Sequence, residues 1–165
     1  MELNKMLNGK LIKLLLIVII AIALDQITKH LVLNFFIHHN GTHAIEVGLF
    51  LNIVLVWNHG ISFGMFNDLE QSQIILILVS LTIIAGLIIW FIRSDDNKLL
   101  FPIALIIGGA LGNIIDRITY GAVVDFIDFY FKQYHYPAFN LADSFIVIGV
   151  LILMVQSFQE KEQNR

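Results

Sequence analysis

Between Ile74 and Ile92 the chain reads IILILVSLTIIAGLIIWFI, 19 residues without a charge. At about 1.5 Å per residue a helix of that length nearly crosses the ~30 Å hydrocarbon layer of a bilayer and satisfies its own backbone. A second uncharged run, Leu99–Ile115, follows a short polar break, with Pro102 near its start and Gly108, Gly109 and Gly112 further along. Working outward, one apolar segment runs from about Leu11 past Asp25 and Lys29 to Leu33, and another from Leu141 to Phe158 carries Asp143. The composition agrees: of 165 residues 58% are apolar and 14% charged, with mean hydropathy +0.81. Soluble domains average roughly 45–50% apolar and about 25% charged. The expected fold is therefore an all-α membrane protein of four transmembrane helices, spanning approximately 11–33, 74–92, 99–115 and 141–158, in one domain over residues 1–165.

Several classes drop out. Ten Lys and Arg against 13 Asp and Glu give net −3, without the basic excess that nucleic acid requires. With no cysteine, disulfides and thiolate chemistry are excluded.

Lys and Arg fix the expected orientation. Lys5, Lys10 and Lys13 precede the first span, Arg93 and Lys98 separate the second from the third, and Lys161 and Arg165 close the chain. The stretch from His30 to Gln73 has neither residue, so both termini are expected in the cytoplasm and the connections 34–73 and 116–140 outside. Ala21-Ile22-Ala23 has the form of a signal-peptide cleavage site, but the helical pattern continues beyond it, with Asp25 and Lys29 one turn apart. Ile45–Trp57 is β-branched and too short to span, and reads as a small extracytoplasmic β element. Phe126, Phe129, Tyr130, Phe131, Tyr134, Tyr136 and Phe139 read as an interfacial aromatic loop.

A charge at mid-bilayer costs about 2.5–3.5 kcal/mol on the insertion scale. Three spans nonetheless carry Asp25, Lys29, Asn113, Asp116, Arg117, Asn140 and Asp143 in or beside them. Counting rise from the cytoplasmic side puts Asp25 roughly 16–21 Å up its helix and Asn113 and Asp116 roughly 21–26 Å up theirs, so these groups gather near the outer leaflet as one site. Asp116 with Arg117 reads as an ion pair capping the third span, and Asp25 with Lys29 as a structural or positioning pair. Asp125 stands in Val123-Val124-Asp125-Phe126, and Asp143 follows 18 residues later. If the intervening segment folds back, the two carboxylates face each other, share a proton, and can activate water and protonate a leaving amine. A proton pathway through Asp25, Asp116, Asp125 and Asp143 and a purely packing role remain the alternatives.

Five stretches, in order, resemble lipoprotein signal peptidase, the type II signal peptidase family of bacteria: Asp25-Gln26-Ile27-Thr28-Lys29; Asn58-His59-Gly60-Ile61-Ser62-Phe63-Gly64; Gly108 to Asn113 with Asp116-Arg117; Val123 to Phe126; and Phe139 to Ser144. Ile61-Ser62 departs from the two small residues that many members carry there. The resemblance implies a membrane aspartyl endopeptidase that cleaves prolipoproteins before a diacylglyceryl-modified cysteine, in the bacterial inner membrane with its active site near the outer leaflet. It implies Asp125 and Asp143 as the catalytic dyad. Asn58, Gly60, Asn113, Asp116, Arg117 and Asn140 line or support the substrate site, with Asp25 and Lys29 behind them. Neither metal nor cofactor is implied, and the expected partners are prolipoprotein and membrane phospholipid, with no oligomer required. His38, His39 and His43 lack ligand spacing and read as a solvated loop, Asn40-Gly41-Thr42 as a sequon in name only, and Ser144 as a residue bonding within its own helix.

Overall fold

The computed structural model describes residues 2–39, 44–60 and 69–163. The Ile61–Gly64 part of the second motif, the Asn40–Thr42 sequon and His43 lie outside the described residues, as does Arg165. Helix α1 (Glu2–His38) is followed by strands β1 (Ala44–Glu46) and β2 (Leu51–Asn58), then helix α2 (Leu69–Arg93). A short 3₁₀ turn (Asn97–Leu99) leads into α3 (Leu100–Tyr120). Strands β3 (Val123–Phe131) and β4 (Tyr134–His135) precede α4 (Leu141–Gln163). All four helices are long and apolar enough to cross a membrane. Helices α1, α2 and α4 run beyond the apolar stretches read from the sequence at one end or both, and α3 runs on past Ile115 to Tyr120.

Helix α3 is the axis of the bundle, buried along most of its length and packed on α1, α2 and α4. In lipid no hydrophobic force draws helices together, so close approach relies on small residues. A Cβ on Gly108 would stand 2.6 Å from the Ala21 Cβ of α1, and one on Gly149 of α4 would stand 2.7 Å from the Pro102 carbonyl oxygen. Gly121 ends α3 in the left-handed region (φ 70°), its N–H bonding the Arg117 carbonyl, and turns the chain into β3.

The strands form an antiparallel sheet in the order β1-β2-β3-β4. The aromatic segment expected as a loop is thus largely strand. Its hairpin folds back, and Phe139 bridges Ile127 on the free edge of β3, returning the chain to α4 beside Asp125. His135 bonds the Asp128 carboxylate at 2.8 Å and ties β4 to β3.

Candidate active site

The sheet's register sets the first half of the site. Strand β2 pairs Ile53 with Ile127 but Val56 with Asp125, so it carries one extra residue between them. That bulge places Asn58 opposite Val123 rather than opposite Ala122, which turns its side chain to the same face as Asp125. Asn58 Nδ2 then donates to Asp125 Oδ2 at 2.8 Å. Its Oδ1 accepts from the Gly60 N–H at 2.7 Å, a tight turn that needs the positive φ of Gly60 (79°). A side chain there would strike Leu76 and lie in ordinary contact with the Arg117 guanidinium.

The start of α4 sets the second half. Asn140 is the residue before the helix, and its Oδ1 accepts from the Asp143 N–H at 2.9 Å while Asp143 Oδ2 accepts from the Asn140 N–H at 3.2 Å. This reciprocal cap fixes Asp143 in the first turn, where the helix dipole favours negative charge. The Asn140 Nδ2 group donates in turn to Asp125 Oδ1 at 2.8 Å and to Asn113 Oδ1 at 3.1 Å. Asn113 Nδ2 donates to Asp143 Oδ1 at 2.8 Å. One side chain, Asn140, therefore bonds both carboxyl-bearing residues, and each carboxylate receives two donors.

Beneath the two aspartates lies a buried ionic cluster. Lys29, 2% exposed, reaches Asp25 Oδ2 and Asp116 Oδ2 at 2.8 Å each and Asn113 Oδ1 at 3.1 Å, which uses all three ammonium protons. Asp25 Oδ1 accepts from the Ala142 N–H at 2.9 Å, and Asp116 Oδ2 from the Val124 N–H at 3.0 Å. The expected Asp116–Arg117 ion pair is not present among the described residues. Consecutive helical residues point about 100° apart, so Asp116 faces α1 while Arg117 turns toward Gly60. Arg117 donates to the Asn113 carbonyl at 3.3 Å, and its buried Nε has no partner among the described residues. The sequence reading gave Gln26 no role of its own, yet its Nε2 bonds Asp116 Oδ1 at 2.9 Å and the Gly112 carbonyl at 3.2 Å. Its place beside Asp25 in the first motif was the available signal.

Burial pushes the Asp125 carboxyl up to about 6, and the charge of Asp143 adds to the rise. Hydrogen bonds from Asn58 and Asn140 and the charge of Lys29 oppose it. A carboxyl pair with one member poised near neutrality can act as base and acid in one reaction. Beside Asp143 opens an apolar cavity of about 340 Å³ walled by Tyr136, Phe139, Val147 and Ile148. Ser144 also borders it, its hydroxyl bonding the Asn140 carbonyl within the helix. His39 stacks on Phe35, away from these groups.

A family model described as signal peptidase (SPase) II matches residues 17–159. A lipoprotein signal peptidase of Anaplasma marginale is 40% identical over 148 residues, covering 90% of this chain and 85% of its own. One from Acinetobacter baylyi is 41% identical over 149 residues, covering 88% and 82%. Two solved bacterial membrane enzymes share the fold. One has TM-score 0.78 at 29% identity, covering 92% of this chain and 91% of its own; the other has 0.73 at 32%, covering 87% and 90%.

Proposed function

Because this chain belongs to the signal peptidase II family, we propose that it removes signal peptides from prolipoproteins as an aspartyl endopeptidase, cutting before a diacylglyceryl-modified cysteine. Asp125 and Asp143 carry the reaction. The observation that supports this most is the single Asn140 side chain held between them. The pair keeps one proton. Its ionised member takes a proton from water, which attacks the scissile carbonyl, and its neutral member supplies the proton that the departing amine requires. The two exchange roles within one coupled titration.

The surroundings favour this chemistry. The positive charge of Arg117 acts on both carboxylates, and Asn58 and Asn113 hold them in place. The apolar cavity beside Asp143 suits a greasy substrate entering from lipid. With both termini cytoplasmic, as the Lys and Arg pattern indicates, the site lies at the outer leaflet of the inner membrane, level with the end of a signal helix. One chain supplies every group named, so a monomer suffices, surrounded by membrane phospholipid.

The test is cleavage of a lipidated prolipoprotein by the purified chain in detergent. The expected products are the free signal peptide and a polypeptide beginning with the lipidated cysteine. The raised pKa keeps a proton on Asp125 below about pH 6 and releases it above, so kcat/KM should fall on the alkaline side with a midpoint at about 6. Bound substrate deepens the burial, so the alkaline limb of kcat should lie higher. No cleavage, together with pH-driven flux in liposomes, would favour a proton carrier instead.

A further inference from the structure

The buried Lys29 cluster reaches the two aspartates through three chains of hydrogen bonds. Asp25 holds the N–H of Ala142, the residue just before Asp143. Asp116 holds the N–H of Val124, the residue just before Asp125. Both carboxylates meet on one ammonium group at 2.8 Å. The third ammonium proton goes to Asn113 Oδ1, and Asn113 bonds the Asp143 carboxylate. Three arms from one atom thus end on β3, on the first turn of α4 and on the side chain of Asp143.

We propose that Lys29 is a positioning residue, which fixes the backbone immediately ahead of each proposed catalytic aspartate and so sets the separation of their carboxylates. This rests on the dyad reading above. Burying three charges is expensive, and apolar side chains would join α1 to α3 at less cost. What apolar packing cannot do is hold two backbone N–H groups on different elements at a fixed distance. A tetrahedral ammonium can do so by gripping their two acceptors. A planar guanidinium cannot aim three donors in the same directions.

The cluster also carries an electrostatic signature. Among the described residues, the charged groups around Asp125 are Asp143 from α4, Arg117 and Asp116 from α3, and Lys29 with Asp25 from α1; β2 contributes neutral Asn58. Of these, Lys29 lowers the Asp125 pKa. Its removal should therefore move the alkaline limb of the pH–rate profile upward, which loss of folded protein alone would not do.

The experiment measures kcat, KM, pH profile and backbone amide exchange for wild type, Lys29→Met and Lys29→Arg, with Asp125→Asn and Asp143→Asn alongside. For Lys29→Met we expect kcat to fall about 100-fold, the cost of an ångström-scale misplacement, with little change in KM. The alkaline limb should move to higher pH, and exchange should rise over residues 122–126 and 140–144. Lys29→Arg keeps the charge and should keep the limb in place while losing kcat about tenfold. Folded Lys29→Met with wild-type kcat and an unmoved limb would overturn the proposal. If that variant fails to fold, wild-type kcat and exchange in Lys29→Arg would overturn it equally. Turnover in either Asn variant would remove the dyad itself, whereas inactive Asn variants beside indifferent Lys29 variants would remove only this proposal.

Discussion

Asp125→Asn and Asp143→Asn should each lower turnover by about 10³-fold or more while the protein stays folded and still binds substrate. Asparagine has the shape of aspartate but can neither take a proton from water nor give one to an amine. Its structural cost is modest. Asp125 accepts from Asn58 and Asn140, and an amide at position 125 keeps one of these bonds while setting its own NH₂ against the other donor. That mismatch costs about 1–3 kcal/mol, less than the typical stability of a folded domain. If the two act as the proposed dyad, the double variant should be hardly worse than either single one, because members of one catalytic unit are not additive. Cleavage kinetics of a lipidated prolipoprotein, with substrate binding measured in parallel, check this. Turnover within tenfold of wild type in either variant would exclude that residue from the chemistry.

The second large effect is expected at Gly109, on the face of α3 that meets α4. A methyl group there would fall onto the Ala142 carbonyl and come within 2.9 Å of the Ile146 side chain. The first obstacle is backbone, so the helices must separate. Overpacking of this kind costs about 1–3 kcal/mol or more. The strain enters at Ala142, next to Asp143 and within the reach of Asp25, so activity should suffer beyond the loss of stability. For Gly109→Ala we expect a clear drop in thermal stability in detergent and a loss of kcat of about 100-fold. Gly86→Ala on α2 is the control: among the described residues its Cβ would meet nothing within 4 Å, and alanine is the better helix former by about 1 kcal/mol. It should leave activity intact and stability equal or higher. Equal thermal stability for Gly109→Ala and wild type would contradict the packing described.

The four helices were legible because uncharged runs near bilayer length have few other uses. Their ends were not, since hydropathy is silent on how far a helix such as α1 continues into polar surroundings. The strand in Ile45–Trp57 showed in its β-branched residues, whereas β3 was hidden by Asp125 and Asp128, which break its apolar run. Adjacency misled at Asp116-Arg117: the nearest opposite charge in sequence lies on another helix face, and the true partner, Lys29, is 87 positions away by subtraction of residue numbers. The bulge in β2 that aims Asn58 at Asp125 left no mark in the sequence, because an extra residue in a strand is defined only against its partner. The clustering of polar residues at one end of the bundle was legible from helical rise alone. Their wiring through Asn140, Asn113 and Lys29 follows from the sheet and the cap of α4, which only the folded chain supplies.

The claim that two carboxyl groups face each other is tested most directly by following the aspartate side-chain carbons by NMR as pH is varied, in wild type, Asp125→Asn and Asp143→Asn. The expected result is a carboxyl titrating at about 6 in wild type, missing in Asp125→Asn, and moved to lower pH in Asp143→Asn, where the neighbouring negative charge is gone. A carboxyl at position 125 whose titration ignores the substitution at position 143 would contradict it.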